Sequence, residues 1–282
     1  MKIRKYYREQ KYKYGDYMEV NIYPVYYHAR AKKRSTKRKP SRACQKRLNQ
    51  LNAERQLARI MAANFTNEDI KLELTYSEEN RPDSIERAKK DLRNFFDRLN
   101  RARKKQGLES TKYIYSLEIG EKTKRIHFHL MISGGIKIKD LQKIWGMGYV
   151  DKVKPLMFDE TGLRGIAKYF CKQQVSDNGS TDGMHQKRYQ CSRNCITPQP
   201  TSNDYKYSKR KVKNIAEDSE NRRMIESLYP GYFCAECERF FNENNGENYI
   251  TIMLYKQDAD LDIRTSRKKK ECESNGNNGK SE

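Results

Sequence analysis

No stretch of this chain approaches the roughly 18 consecutive apolar residues that a membrane-spanning helix needs, and no apolar core of a secretion signal is visible. The expectation is a cytoplasmic protein with no membrane partner. Apolar residues are scarce as well: 35% of the 282 residues are hydrophobic and 34% are charged, which argues against one compact core over the whole length. The chain has room for one sizeable domain with extensions, or for two small domains. Seven cysteines, an odd number, fit reduced thiols better than a disulfide framework. Cys191/Cys195 and Cys234/Cys237 offer four thiolates, but the x3 spacing of the first pair and the lack of a zinc-ribbon turn glycine argue against structural zinc.

Acid is absent where base is densest. Residues 29–47 hold ten Lys or Arg and no Asp or Glu, within a first 59 residues that carry 18 basic side chains against four acidic ones. The whole chain has a formal net charge of +22. Nucleic acid is the partner such charge fits, because each cation set against a phosphate releases a condensed counterion. Arg30, Lys32, Lys33, Arg34, Lys37, Arg38 and Lys39 are the expected phosphate contacts of this run, which is either a solvated arm or one that orders on its target. Arg125 and Lys168 are further candidates.

Four regions are expected. Residues 1–63 read as a basic extension with a short strand in EVNIYPVYY, the basic run, and a helix over 41–62 whose apolar stripe is Leu48, Leu51, Ala58 and Met61. Residues 64–175 alternate strands and amphipathic helices and are the best core candidate. Residues 176–257 form a C-terminal extension with a small folded part over 221–256, and 258–282 a disordered tail. In the core, IKLELTY, YIYSLEIG, RIHFHLMIS and GYVDKVKPL read as strands. Helices are expected after Ser84, over 138–145, and over 161–173 with Thr161 at the cap. The order predicts an α+β fold, an antiparallel sheet with helices packed on one face.

RIHFHLMIS places two histidines one residue apart on a strand. Alternation puts Arg125, His127, His129, Met131 and Ser133 on one face, and Ile126, Phe128, Leu130 and Ile132 on the other, which packs on helices. Both imidazoles therefore leave the helix-packed face together. Across the expected hairpin, Glu118 falls near them, with Glu121 in the turn as the alternative. Two imidazoles and a carboxylate with open positions suit Mg2+ or Mn2+ rather than a closed structural zinc. In GIAKYFCKQ, Tyr169 and Lys172 lie at i and i+3, off the apolar stripe of Leu163, Ile166, Ala167 and Phe170. A phenol, with an ordinary pKa of about 10, needs a cation to serve as a nucleophile, and Lys172 is one.

Three blocks in this order, IKLELTY, RIHFHLMIS with its upstream acid, and AKYFCKQ, resemble the HUH endonucleases, specifically the rolling-circle replication initiators of small phages and plasmids. NFTN, NFFDRLNR and KRYQCSRN extend the likeness over most of residues 15–256. The resemblance implies that Tyr169 attacks a phosphodiester of single-stranded origin DNA, leaving a 5′-phosphotyrosine and a free 3′-hydroxyl. It implies further that His127, His129 and Glu118 hold the divalent ion while Lys172 assists. Host helicase and polymerase are candidate partners, in the cytoplasm of a bacterial host. Two-tyrosine members carry a second tyrosine four residues on. Here that position is Gln173, so the chain resembles a single-tyrosine enzyme. The competing readings are a non-catalytic single-strand-binding module of RNA-recognition-motif shape, and a relaxase or transposase of the same superfamily.

Overall fold

The computed structural model describes residues 5–27, 43–120, 125–172, 188–218 and 222–259. The chain forms two compact units, each α+β and each built on a five-stranded antiparallel sheet.

One unit comprises 44–157 and 163–197. It opens with α1 (Ala43–Asn64), which leads into β3 (Ile70–Tyr76), α2 (Ile85–Lys105), β4 (Tyr113–Ile119) and β5 (Ile126–Ile132). There follow α3 (Ile138–Trp145), β6 (Gly148–Pro155), α4 (Arg164–Lys172) and the two-residue β7 (Gln190–Cys191). The strand order is β6-β3-β5-β4-β7. Period-two patterning decides which face is buried: Leu72, Leu74 and Tyr76 of β3 and Phe128, Leu130 and Ile132 of β5 all point to one side. There they meet Ala88, Leu92, Phe95, Phe96 and Leu99 of α2, and Leu141 and Trp145 of α3. Each large side chain so buried stabilises the fold by about 1.5–3 kcal/mol. Ser84 caps α2 as expected, its hydroxyl accepting from the Arg87 amide at 3.2 Å. Trp145 Nε1 donates to the Thr75 carbonyl at 2.9 Å, pinning α3 to the rim of β3. The start of β6 passes so close that a Cβ on Gly148 would come within 2.3 Å of that same carbonyl oxygen, so no other residue fits there.

Not every helix packs on that face. Tyr169 and Phe170 of α4 contact the ring of His129, so α4 covers the opposite, histidine-bearing side, where Ile114 and Met131 are buried too. The helix is shorter than expected: it begins at Arg164, and Thr161 instead turns back to bond Asp159 through its amide and hydroxyl. In α1 the buried stripe is Leu57, Ala58, Ile60 and Met61, whereas Leu48 and Leu51 are exposed.

The other unit draws on both ends of the chain and on a short insert, Phe158–Gly162. Strands β1 (Lys5–Tyr14) and β2 (Tyr17–Tyr26) form a hairpin in unbroken register. From the C-terminal part come β8 (Thr201–Tyr207), α5 (Lys209–Glu217), α6 (Arg222–Leu228), β9 (Tyr232–Asn242) and β10 (Glu247–Lys256). They complete a sheet in the order β8-β1-β2-β10-β9. Met18, Val20, Ile22, Ile250, Ile252 and Leu254 pack against Val212, Ile215 and Ala216 of α5 and Ile225 of α6. The division at 63/64 and 175/176 expected from composition therefore differs from the observed one. Residues 5–26 read as an extension because their partners, β8 and β10, lie some 200 residues away and no local pattern announces that pairing. Strand β1 and the segment β8–α5 are additions to the expected elements. Their many lysines and tyrosines mask the strand period, although Tyr7, Tyr207 and Val212 are buried.

Candidate active site

The site is built from the registers of three strands. Between β4 and β5, Glu118 pairs with His127 and Ser116 with His129; between β3 and β5, Glu73 pairs with His129 and Thr75 with His127. Alternation then places Glu73, Thr75, Ser116, Glu118, His127 and His129 on one face, as expected for the histidines and Glu118. Helix α4 carries Tyr169 onto the same face.

His129 is the hub, with only 4% of its surface exposed. Its Nε2 lies 2.7 Å from Glu118 Oε2, and its Nδ1 3.0 Å from Glu73 Oε1. The Tyr169 hydroxyl donates to Glu73 Oε1 at 3.3 Å and lies 3.4 Å from His129 Nδ1, with the two rings edge to face. Lys152 Nζ is 2.7 Å from the other oxygen of Glu73. Burial above all holds the pKa of His127 below the ordinary histidine value, opposed by the nearby charges of Glu118 and Glu73. A neutral His127 keeps a lone pair available to a cation.

The donor chemistry suits a cation at one specific contact. A neutral imidazole has one N–H, yet His129 faces a carboxylate at each nitrogen, so one of those contacts needs a second proton or a cation between the two lone pairs. The 2.7 Å separation of Nε2 and Glu118 Oε2 is also close to the edge of an octahedron with ligands about 2.0–2.1 Å from its centre, which is about 3 Å. Among the described residues, no group of three His, Cys, Asp or Glu side chains is placed so that together they could hold a metal ion, so the fit rests on the pair His129 and Glu118. Cys171, Cys191, Cys195, Cys234 and Cys237 form no disulfide among the described residues, and Cys195 shares its sulfur with Ser192 and the Tyr113 carbonyl.

The remaining candidates are placed unevenly. Lys168 is exposed on α4 beside Tyr169. Arg125, just before β5, pairs with Glu78. Lys172 ends α4, but its side chain is outside the described residues, as are Glu121 and the run from Arg30 to Lys39. Four polar neighbours were not foreseen: Glu73, Lys71, Lys152 and Lys154, which with His129 and Tyr169 line the cleft over the sheet. The alternation of IKLELTY already put Lys71 and Glu73 on one face. What it could not show is that this face is the one α4 covers.

Residues 70–174 match the family model of the ORF2-type replication-associated proteins. Over that segment, from the start of β3 onwards, the chain is similar to replication-associated proteins. The ORF2-like segment runs from the start of β3 to just past α4, so Glu73, Glu118, His127, His129, Lys152 and Tyr169 all fall inside it. Neither a curated protein nor a solved structure matches the chain at a significant level. No described helix is long and apolar enough to cross a membrane.

Proposed function

We propose that this chain initiates rolling-circle replication as an HUH-type endonuclease and strand transferase, nicking single-stranded DNA at an origin through Tyr169. The observation that carries this reading is the meeting of a tyrosine hydroxyl with the histidine face of the sheet, 3.4 Å from His129 Nδ1, inside the ORF2-like segment.

The chemistry is a transesterification. Tyr169 Oη forms a bond to the scissile phosphorus as the P–O3′ bond breaks; the electron pair of that bond leaves with O3′, which takes up a proton and becomes the primer hydroxyl. The phenolic proton has an acceptor within reach, Glu73 Oε1, because with the Nε2 lone pair of His129 turned to a divalent ion its Nδ1 carries the one imidazole proton. The edge-to-face packing of Tyr169 on His129 fixes where the phenol oxygen points, so the strand must present its phosphate over the sheet. His127, His129 and Glu118 would hold a divalent ion, Mg2+ or Mn2+, and such an ion would polarise the phosphoryl oxygens and offset charge developing on them. The basic run over residues 29–47 would supply sequence-independent affinity, and the resemblance gives Lys172 an assisting role. Because the phosphotyrosine bond conserves the energy of the phosphodiester, a 3′-hydroxyl can reverse the step and reseal a strand.

The test is incubation with a pool of random-sequence single-stranded oligonucleotides and Mg2+, with covalent species isolated under denaturing conditions and the linked residue located by mass spectrometry. A link at Tyr169 is the expected result, together with a Tyr169→Phe variant that binds the pool as the wild type does but forms no adduct. A link at another residue would overturn the site. Binding with neither cleavage nor adduct would leave a non-catalytic single-strand-binding module.

A further inference from the structure

Strand β6 is irregular at one point, beside the cleft. Asp151 pairs with Glu73 and Lys154 with Lys71, so Lys152 and Val153 together oppose the single residue Leu72. Plain alternation would send residue 153 to the opposite face from residue 150. The extra residue lets both Val150 and Val153 pack on the helix-side core. That extra residue is Lys152, whose φ is +50°, the one positive φ outside glycine among the described residues.

Lysine is a poor choice for such a backbone. Glycine takes left-handed geometry without steric conflict, and nothing in the bulge itself asks for a long side chain. An exposed ion pair gives little in return, since the Lys152 side chain is 67% exposed and its bond to Glu73 is open to solvent. Strain of this kind is kept where the side chain it aims is needed. Here the bulge aims Nζ to within 2.7 Å of Glu73, the carboxylate that also accepts the Tyr169 hydroxyl. One carboxylate thus separates this ammonium from the nucleophile.

We propose that Lys152 is a catalytic residue of this site, whose ammonium contacts a non-bridging oxygen of the scissile phosphate beside Tyr169. This rests on the DNA-cleaving function proposed above. Glu73 is its positioning partner: it holds the ammonium over the cleft until a phosphate arrives, and the flexible lysine stem then lets Nζ turn to the phosphate with no movement of the strand. As the Tyr169 Oη–P bond forms and the P–O3′ bond breaks, Lys152 offsets charge on the non-bridging oxygens and transfers no proton.

Lys152→Gly separates this role from a structural one, because it keeps the bulge geometry and relieves its strain. The oligonucleotide used is one that the wild-type protein cleaves. At saturating DNA, Lys152→Gly and Lys152→Met are expected to cleave roughly 10²-fold more slowly. Lys152→Gly should melt no lower than the wild type, both variants should bind the oligonucleotide as it does, and Lys152→Arg should recover part of the lost rate. Cleavage at the wild-type rate by either uncharged variant would overturn the proposal. So would a Lys152→Gly variant that loses thermal stability along with its activity, which would make the lysine a structural residue. A wild-type protein that neither cleaves nor forms an adduct overturns the function as well, and that result is read before any variant is made.

Discussion

His129 is held from both sides by carboxylates, and that arrangement makes the residue-level outcomes asymmetric. Replacing His129 by Ala removes the shared partner of Glu118, Glu73 and Tyr169, and Glu73, only 9% exposed, keeps Lys152 as its ion-pair partner. Loss of both cleavage and some thermal stability is expected, the latter by about 1–3 kcal/mol for a buried polar group losing a partner. His127→Ala removes a half-buried side chain instead, and should abolish cleavage with little change in melting temperature or DNA affinity. Equal loss of affinity and cleavage in His127→Ala would argue for a structural pair. Chelation with EDTA should stop cleavage by the wild type and be reversed by added Mg2+ or Mn2+; cleavage that persists in EDTA would remove the ion from the reading.

At the level of elements, the site depends on how firmly the sheet and its helices are joined. Helix α2 supplies five buried side chains to the core and is closed at its start by Ser84, so Ser84→Ala should lower stability by about 1 kcal/mol, read from thermal unfolding, while leaving cleavage unchanged. The basic run is a different kind of element, one of charge rather than packing. Deleting residues 29–47 should flatten the dependence of log affinity on log salt concentration by about 0.7 for each phosphate of single-stranded DNA that is no longer neutralised. An unchanged slope would mean that this run does not touch phosphate.

Across the molecule as a whole, the unit formed by the two chain ends has a weakness towards acid. Glu247 is 1% exposed; burial pushes its carboxyl pKa up, but the bonds from Lys5 and Tyr7 outweigh that, and the net shift is below the ordinary glutamate value of 4.5. The charged form is therefore favoured by folding. Its contribution is complete above pH 4.5 and is lost as pH falls through the lower folded value. Stability of the wild type, followed by circular dichroism, should decline through that window. Glu247→Gln should be less stable at neutral pH and show a shallower decline; an equal slope in both proteins would rule out Glu247 as the source.

Which candidate residues share a face was legible in the sequence wherever a short-range period governs it. Alternation along RIHFHLMIS put His127 and His129 on one face, and a hairpin between neighbouring strands brought Glu118 opposite His127, because register across a short turn leaves little freedom. The cap at Ser84 and the apolar face of α2 are local for the same reason. Whatever depends on distant partners had to wait for the folded chain. Folding set β1 and β2 beside β8 and β10, laid α4 over the histidine face, and turned Glu73 from an outward strand residue into the acceptor of Tyr169. Lys152 belongs with these, since a bulge arises from keeping both Val150 and Val153 in a shared core, and no period within GYVDKVKPL encodes that demand. Local pattern sets which side chains can share a face; the packing of α4 and the bulge in β6, which answer to residues far along the chain, decide which of them meet.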